Sequence, residues 1–228
     1  MFKIDFLLLH AMTNQNLLEY LLDFLTPARR KLFARVLKER TNYFTLATQD
    51  VYQLHNTSAV LRSCDVFGFQ NIHVIEERNP RRIDKEIAMG AQKWVDVNRY
   101  NSTTACVDTL RRKGYRIVAT SPHGDAQLLQ DFDLSRPAAI FFGTEKNGLS
   151  QEFIEKADAT LKIPMYGFTE SLNISVSAAI ILQELSFKLR KSNYNWRLSD
   201  KEREELHLKW ARKSIKNSDA LIESFLKN

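Results

Sequence analysis

The chain has 228 residues, 44% hydrophobic and 26% charged, the composition of an ordinary soluble globular protein that can bury a large core without staples. Its net charge is +6, and its two cysteines, Cys64 and Cys106, are far apart with no C-x-x-C spacing. This argues against a disulfide framework or a zinc site and fits a reducing cytoplasm. His10, His55, His73, His123 and His207 show no ligand spacing, and H-E-x-x-H is absent. Lys3 and Asp5 interrupt the apolar Phe6-Leu7-Leu8-Leu9, and no small-residue cleavage site follows, so no signal peptide is expected. No run reaches the roughly 18 apolar residues of a membrane helix.

The positive charge sits on the flanks. Residues 1–40 carry seven basic and four acidic side chains, residues 184–228 eleven and seven, and residues 41–183 fifteen and sixteen. Basic flanks read either as polyanion contacts, nucleic acid foremost, or as solvated amphipathic helices with a lysine surplus.

In chain order, Leu17, Leu18, Leu21, Leu22 and Leu25 at helical spacing predict a short helix over 15–25. Thr26-Pro27 opens a second helix, Thr as N-cap and Pro in the first turn. It carries Arg29, Arg30, Lys31, Arg35, Lys38 and Arg40 against one acid, Glu39. Strand and helix then alternate: strand from Phe44 to Thr48, helix from Asn56 to Gly68, strands at Ile72–Ile75 and Trp94–Val97. A helix at Thr103–Lys113 follows, then strands at Tyr115–Thr120 and Ala138–Phe142, a helix at Gln151–Ala157 and a strand at Thr160–Ile163. A long apolar helix from Ser171 closes the series, and the polar link Lys191–Arg197 leads to a charged helical tail, Ser199–Leu226. Such alternation predicts βαβ units, an α/β fold with a mostly parallel sheet and helices on both faces. The unbroken apolar run Ala139-Ile140-Phe141-Phe142 suits a strand covered on both sides.

Ligands of open parallel sheets bind at the carboxyl ends of the strands. Three loops there are rich in Gly, Pro and small polar residues: Thr120–Gly124, Gly143–Gly148 and Tyr166–Ser171. No G-x-G-x-x-G follows a strand, and Leu149 stands where a Walker loop needs lysine, so a P-loop is rejected. No G-x-S-x-G elbow exists. Pro164 ends a strand, and Ser171 and Asn173 are of the types that cap a helix. Asn56 has the same character at the start of its helix. Ser58, Arg62 and Asp65 fall at i, i+4 and i+7, which allows a surface Arg62–Asp65 ion pair or a guanidinium held at a cleft to meet phosphate.

Three segments together carry a resemblance. His55-Asn56-x-Ser58-Ala59-x-x-Arg62-x-x-Asp65-x-x-Gly68, Phe142-Gly143-x-Glu145-Lys146-x-Gly148 and Ile163-Pro164-Met165-x-Gly167-x-x-x-Ser171-Leu172-Asn173-x-Ser175 resemble, in order, the three motifs of the SpoU/TrmH family. Gly90–Val95 fits as well, and the resemblance runs from about Thr26 to Lys191. These are RNA ribose 2′-O-methyltransferases of the SPOUT class. The resemblance implies a parallel sheet with a C-terminal deep trefoil knot, at about residues 119–175, an architecture that general topology rules would forbid. It implies an S-adenosylmethionine pocket built from Thr120, Gly143, Thr144, Glu145, Ile163, Met165, Ser171, Leu172 and Asn173, with no metal. It also implies a homodimer, which would cover a helix apolar on too many sides for one sheet.

For catalysis the resemblance singles out Arg62, with Asn56, Glu145 and Asn173. A guanidinium stays protonated in proteins, so Arg62 is expected to clamp a phosphate and stabilise developing alkoxide charge. Asn56 and Glu145 would orient the ribose and Arg62, while Asn173 and Ser171 shape the pocket. The expected layout is basic N-terminal helices at 1–42, a methyltransferase core at 43–190 and a helical tail at 191–228. That layout resembles the tRNA guanosine-18 branch, with Arg29, Arg30, Lys31, Arg35, His55, Lys188 and Arg190 as RNA contacts. Where that branch continues its long helix with Arg-x-Arg, this chain has Phe187-Lys188-Leu189-Arg190-Lys191, one position out of phase, and Glu170 stands where glutamine is usual. Neighbouring helix positions differ by about 100°, so these cations are expected to face elsewhere. A 2′-O-methyltransferase of ribosomal RNA or of the tRNA anticodon loop, or a non-catalytic RNA-binding protein on the same core, are the alternative readings.

Overall fold

A computed structural model of the chain describes residues 15–51, 54–77, 85–122, 124–144 and 146–227. Glu145, His123 and residues 1–14 of the expected N-terminal segment lie outside the described residues. The chain divides into two compact units, one of residues 41–196 and one of residues 1–40 with 197–228.

The larger unit is a seven-stranded sheet: β1 (Phe44–Gln49), β2 (Asn71–Ile75), β3 (Asp96–Tyr100), β4 (Arg116–Thr120), β5 (Gln127–Leu128), β6 (Ala138–Phe142) and β7 (Ala159–Lys162). The strand order is β3-β2-β1-β6-β4-β7-β5, and every pairing is parallel. Helices α3 (Leu54–Phe67), α4 (Lys85–Ala88), α5 (Thr103–Arg112), α6 (Gln151–Lys156) and α7 (Ile174–Lys191) connect or follow the strands. Alternate residues of β6 serve opposite faces, as its sequence predicts. Ala138, Ile140 and Phe142 join Leu61, Cys64, Ile181 and Leu185 in one core, while Ala139 and Phe141 join Cys106, Leu110 and Leu149 in the other. Helices α3 and α7 therefore pack on one face and α5 and α6 on the other.

Several expected boundaries move. Trp94 donates its N–H to Ala91 O (2.9 Å) as the end of a 3-10 turn, so β3 starts at Asp96 rather than Trp94. The two-residue β5 carries too little pattern to be read. Helix α3 starts at Leu54, which leaves Asn56 inside its first turn rather than at the cap.

The smaller unit holds α1 (residues 15–22), α2 (Pro27–Glu39), α8 (Asp200–Ser214) and α9 (Ser218–Lys227). Thr26 caps α2 and Ser199 caps α8 with a full capping box to Glu202. The expected single tail helix is two, broken at Asn217, whose φ is +59°. Leu21, Phe33, Leu37, Leu206 and Trp210 are buried, and Phe33 and Trp210 have ring centroids 5.6 Å apart. Arg40, counted with the basic patch from sequence, is instead 2% exposed, its guanidinium 5.3 Å from the Trp210 ring centre. Among the described residues no helix is long and apolar enough to cross a membrane.

Candidate active site

Strands β1, β6, β4 and β7 lie side by side and point the same way. The segments that follow them therefore emerge along one edge of the sheet. These are the start of α3, the loop from Gly143, the loop from Ser121 and the 163–173 segment. All three sequence motifs belong to this edge.

Two helices define its centre. Asn173 is the N-cap of α7, and its Oδ1 accepts from the Ser175 N–H (2.8 Å) and the Ser175 hydroxyl (2.6 Å). That cap starts the helix at Ile174, three residues beyond the expected Ser171, which stays exposed in the loop. The other end of the same amide reaches across the fold: Asn173 Nδ2 donates to Asn56 Oδ1 at 3.2 Å, joining residues 117 positions apart. Asn56 is 2% exposed, and its neighbours Thr57 and Ser58 are also buried. A buried polar cluster of this kind must be hydrogen-bonded to be tolerated.

The Ser58, Arg62, Asp65 stripe is accordingly not one surface. Ser58 is fully buried, Asp65 half-buried and Arg62 exposed. Among the described residues neither an ion pair nor a hydrogen bond engages the Arg62 guanidinium, and the surface pair with Asp65 does not form. Its five donors are open to an incoming anion.

The loop after β6 is closed on itself. Thr144 and Gly148 exchange backbone hydrogen bonds (3.1 and 2.9 Å), and Thr144 Oγ1 accepts from the Asn147 N–H. A Cβ on Gly143 would lie 2.0 Å from the Gly148 carbonyl carbon and 2.2 Å from Leu149 N, so only glycine fits. Thr120 spends its hydroxyl on the Phe141 carbonyl (2.8 Å), and Lys162 Nζ ties the end of β7 to Gly124 O (3.1 Å). Ile163 packs on the main core and Met165 is half-buried, whereas Tyr166 and Phe168 are fully exposed. Leu172, Val176, Ile180 and Phe187 continue an exposed apolar stripe along α7. Among the described residues no cluster of His, Cys, Asp and Glu could hold a metal ion.

The basic residues part company. On α2, Lys31, Arg35 and Lys38 are exposed at i, i+4 and i+7, opposite the buried Phe33 and Leu37. Arg29 is exposed over the Phe33 ring, and Arg30 is tied to Asp23 (3.2 Å) and Leu25 O (3.1 Å). His55 is exposed at the start of α3. Lys188 and Arg190 are turned onto their own unit. Lys188 Nζ donates to the carbonyls of Leu129 and Gln130. Arg190 donates to Ser186 and to Phe67 O (3.3 Å), and its guanidinium stacks 5.0 Å from the ring centre of the buried Trp196. Ser186 and Trp196 were not singled out from sequence. A lone serine in an apolar helix was the available signal, and it is a weak one.

A parallel sheet with its motif residues gathered at one carboxyl edge is the arrangement of a SpoU methylase. The model of the SpoU rRNA Methylase family matches residues 43–183, and the chain belongs to that family. It is 39% identical over 194 residues to the tRNA (guanosine(18)-2′-O)-methyltransferase of Borreliella burgdorferi, covering 85% of this chain and 89% of that one. Among solved structures, the Aquifex aeolicus TrmH/SpoU tRNA-modifying enzyme superposes with a TM-score of 0.74 at 30% identity, over 83% of this chain and 98% of that one. An AdoMet-bound rRNA methyltransferase from Sinorhizobium meliloti gives a TM-score of 0.58 at 25% identity, over 68% of this chain and 60% of that one.

Proposed function

We propose that the chain transfers a methyl group from S-adenosylmethionine to the ribose 2′-hydroxyl of guanosine 18 in the tRNA D-loop. The observation that carries this reading is the Asn173–Asn56 hydrogen bond, which holds the start of α7 against the helix that presents Arg62. The target is supported by the 39% identity to a guanosine-18 enzyme over most of both chains.

The loops after β4, β6 and β7 offer backbone N–H and C=O groups and the Ser171 hydroxyl, a donor set that suits an adenosyl group rather than a metal ion. Thr120, Gly143, Thr144, Ile163, Met165, Ser171, Leu172 and Asn173, with Glu145, would hold it. The cosubstrate supplies a methyl carried on a sulfonium. The S–CH3 bond breaks as the O–CH3 bond forms, the sulfur departs as a neutral thioether, and the hydroxyl proton passes to solvent water. The protein's share is alignment and charge: Arg62 clamps a phosphate of the RNA and offsets the alkoxide charge as it develops. Asn56, Glu145 and Asn173 set the ribose and the guanidinium.

In this reading the 119–175 segment threads a trefoil knot that shapes the pocket. The Leu172, Val176, Ile180 and Phe187 stripe docks on a second copy of the chain. Residues 1–42 with Arg29, Lys31, Arg35 and Lys38, together with His55 of the core, hold tRNA phosphates, while the 43–190 core does the chemistry in the cytoplasm. Lys188 and Arg190 are spent on protein carbonyls and leave the RNA-contact set.

The test is incubation of the purified chain with an unmodified tRNA transcript and labelled S-adenosylmethionine, followed by nuclease digestion and mass mapping. Label at position 18, lost when that guanosine is replaced by adenosine, supports the proposal. Label only elsewhere in tRNA, or only in ribosomal RNA, overturns the target, and no label in any RNA overturns the activity. Arg62→Ala should lower transfer by about 100-fold or more while calorimetry still registers S-adenosylmethionine binding.

A further inference from the structure

Helices α3 and α7 run side by side in the same direction, and they are tied at both ends. At the amino ends the tie is Asn173 to Asn56 (3.2 Å). At the carboxyl ends it is the Phe67 carbonyl, the last residue of α3, which accepts from the Ser186 hydroxyl (3.2 Å) and from Arg190 (3.3 Å). Arg190 also donates back to Ser186 O (3.2 Å) and to the Ser186 hydroxyl, and its guanidinium carbon lies over the Trp196 ring, 5.0 Å from its centre. Trp196 is itself fixed, its carbonyl accepting from Thr41 Oγ1 at 2.5 Å. Arg62 lies between the two ties, about 9 Å along α3 from Asn56 and about 7.5 Å from Phe67 at 1.5 Å per residue.

We infer that Arg190 is a positioning residue for methyl transfer: with Ser186 and Trp196 it fixes the register of α3 on α7, and so the place of Arg62. The inference rests on the function proposed above and adds a residue to it. The chemistry suits the task. The last carbonyls of a helix have no intrahelical donor, and a cation there also meets the negative end of the helix dipole. A guanidinium is planar, so it can bond two acceptors in its plane and stack on an indole at once, which an ammonium cannot do. A slide of about 1 Å at a reacting centre can cost up to a hundredfold in rate. A two-ended tie guards against that slide where one end alone would leave a hinge.

The experiment compares Arg190→Ala, Arg190→Lys and Ser186→Ala by steady-state kinetics on tRNA and by amide hydrogen exchange. The inference expects kcat to fall about tenfold or more in Arg190→Ala, less in Arg190→Lys and Ser186→Ala, with the KM for tRNA and its salt dependence within about twofold of wild type. It also expects about tenfold faster exchange at residues 64–69 in Arg190→Lys, with β4 unchanged. A raised KM with a salt slope reduced by about one and an unchanged kcat would make Arg190 an RNA contact and overturn the inference. Unchanged kinetics and exchange in all three would overturn it as well. If Arg190→Ala does not fold, the other two variants decide by the same criteria. The exchange measurement needs no activity, so a wild-type chain that methylates nothing defeats the proposed function while the tie is still judged on its own.

Discussion

Asn173 uses the two ends of one amide for two tasks: Oδ1 caps α7 through Ser175 (2.8 Å), and Nδ2 bonds Asn56 of α3 (3.2 Å). The tasks can be separated by substitution. Asn173→Ser keeps a good cap but is too short to reach Asn56, whereas Asn173→Ala loses both. Chemical unfolding should place the alanine variant about 1 kcal/mol below the serine variant, the worth of an N-cap. Methyl transfer should fall in both, because the helix contact is lost in both. Full activity in Asn173→Ser would show that the contact does not serve the chemistry.

The two glycines of the loop after β6 differ in kind. At Gly143 an added Cβ meets backbone atoms at 2.0 to 2.2 Å, which cannot yield without opening the loop. At Gly148 the added Cβ meets nothing, but φ is +64°. Gly148→Ala should therefore cost about 1 kcal/mol of stability, and Gly143→Ala several-fold more or a misfolded loop. Urea titration of the two variants checks the order. A milder Gly143 variant would refute the clash.

His73 is buried on β2, its ring nitrogen 3.1 Å from the Tyr100 hydroxyl. Burial first, and then the charge of Lys113, push its pKa down to about 4. The folded value lies below the unfolded value of about 6.5, so the unfolded chain binds the extra proton between those limits. Stability is accordingly full above about pH 6.5 and falls as the pH drops toward 4, by about 3 kcal/mol across the window. Unfolding measured at half-unit steps should show this slope, and His73→Gln should flatten it.

Lys31, Arg35 and Lys38 form a single exposed row on α2. Replacing all three by alanine should lower tRNA affinity and reduce the slope of log affinity against log salt by about two to three, since each phosphate contact releases counterions. The row makes no contribution to the buried side of α2, so the melting temperature should hold within about 2 °C. An unchanged salt slope in filter binding would place the RNA elsewhere.

What the linear chain determined by itself was local. The unbroken apolar run Ala139-Ile140-Phe141-Phe142 gave β6 as a strand covered twice, because successive strand residues face opposite sides of a sheet and here both sides are apolar. Asn173 before an apolar helix could be read as a cap, because capping needs only a short acceptor and the N–H groups just after it. The presence of Asn56, Arg62, Gly143 and Asn173 in their motifs was equally plain. Tertiary structure decided the rest. Strand order is fixed by pairings between distant segments, which no local period encodes, and it alone set β1, β6, β4 and β7 in a row with their loops on one edge. Asn56 moved from a cap to a buried partner because the helix began two residues earlier and α7 arrived to bond it. The fate of each cation followed from which face of its helix was covered. Lys31 and Arg35 stayed in water, while Lys188 and Arg190 found carbonyls within reach and were taken into the scaffold.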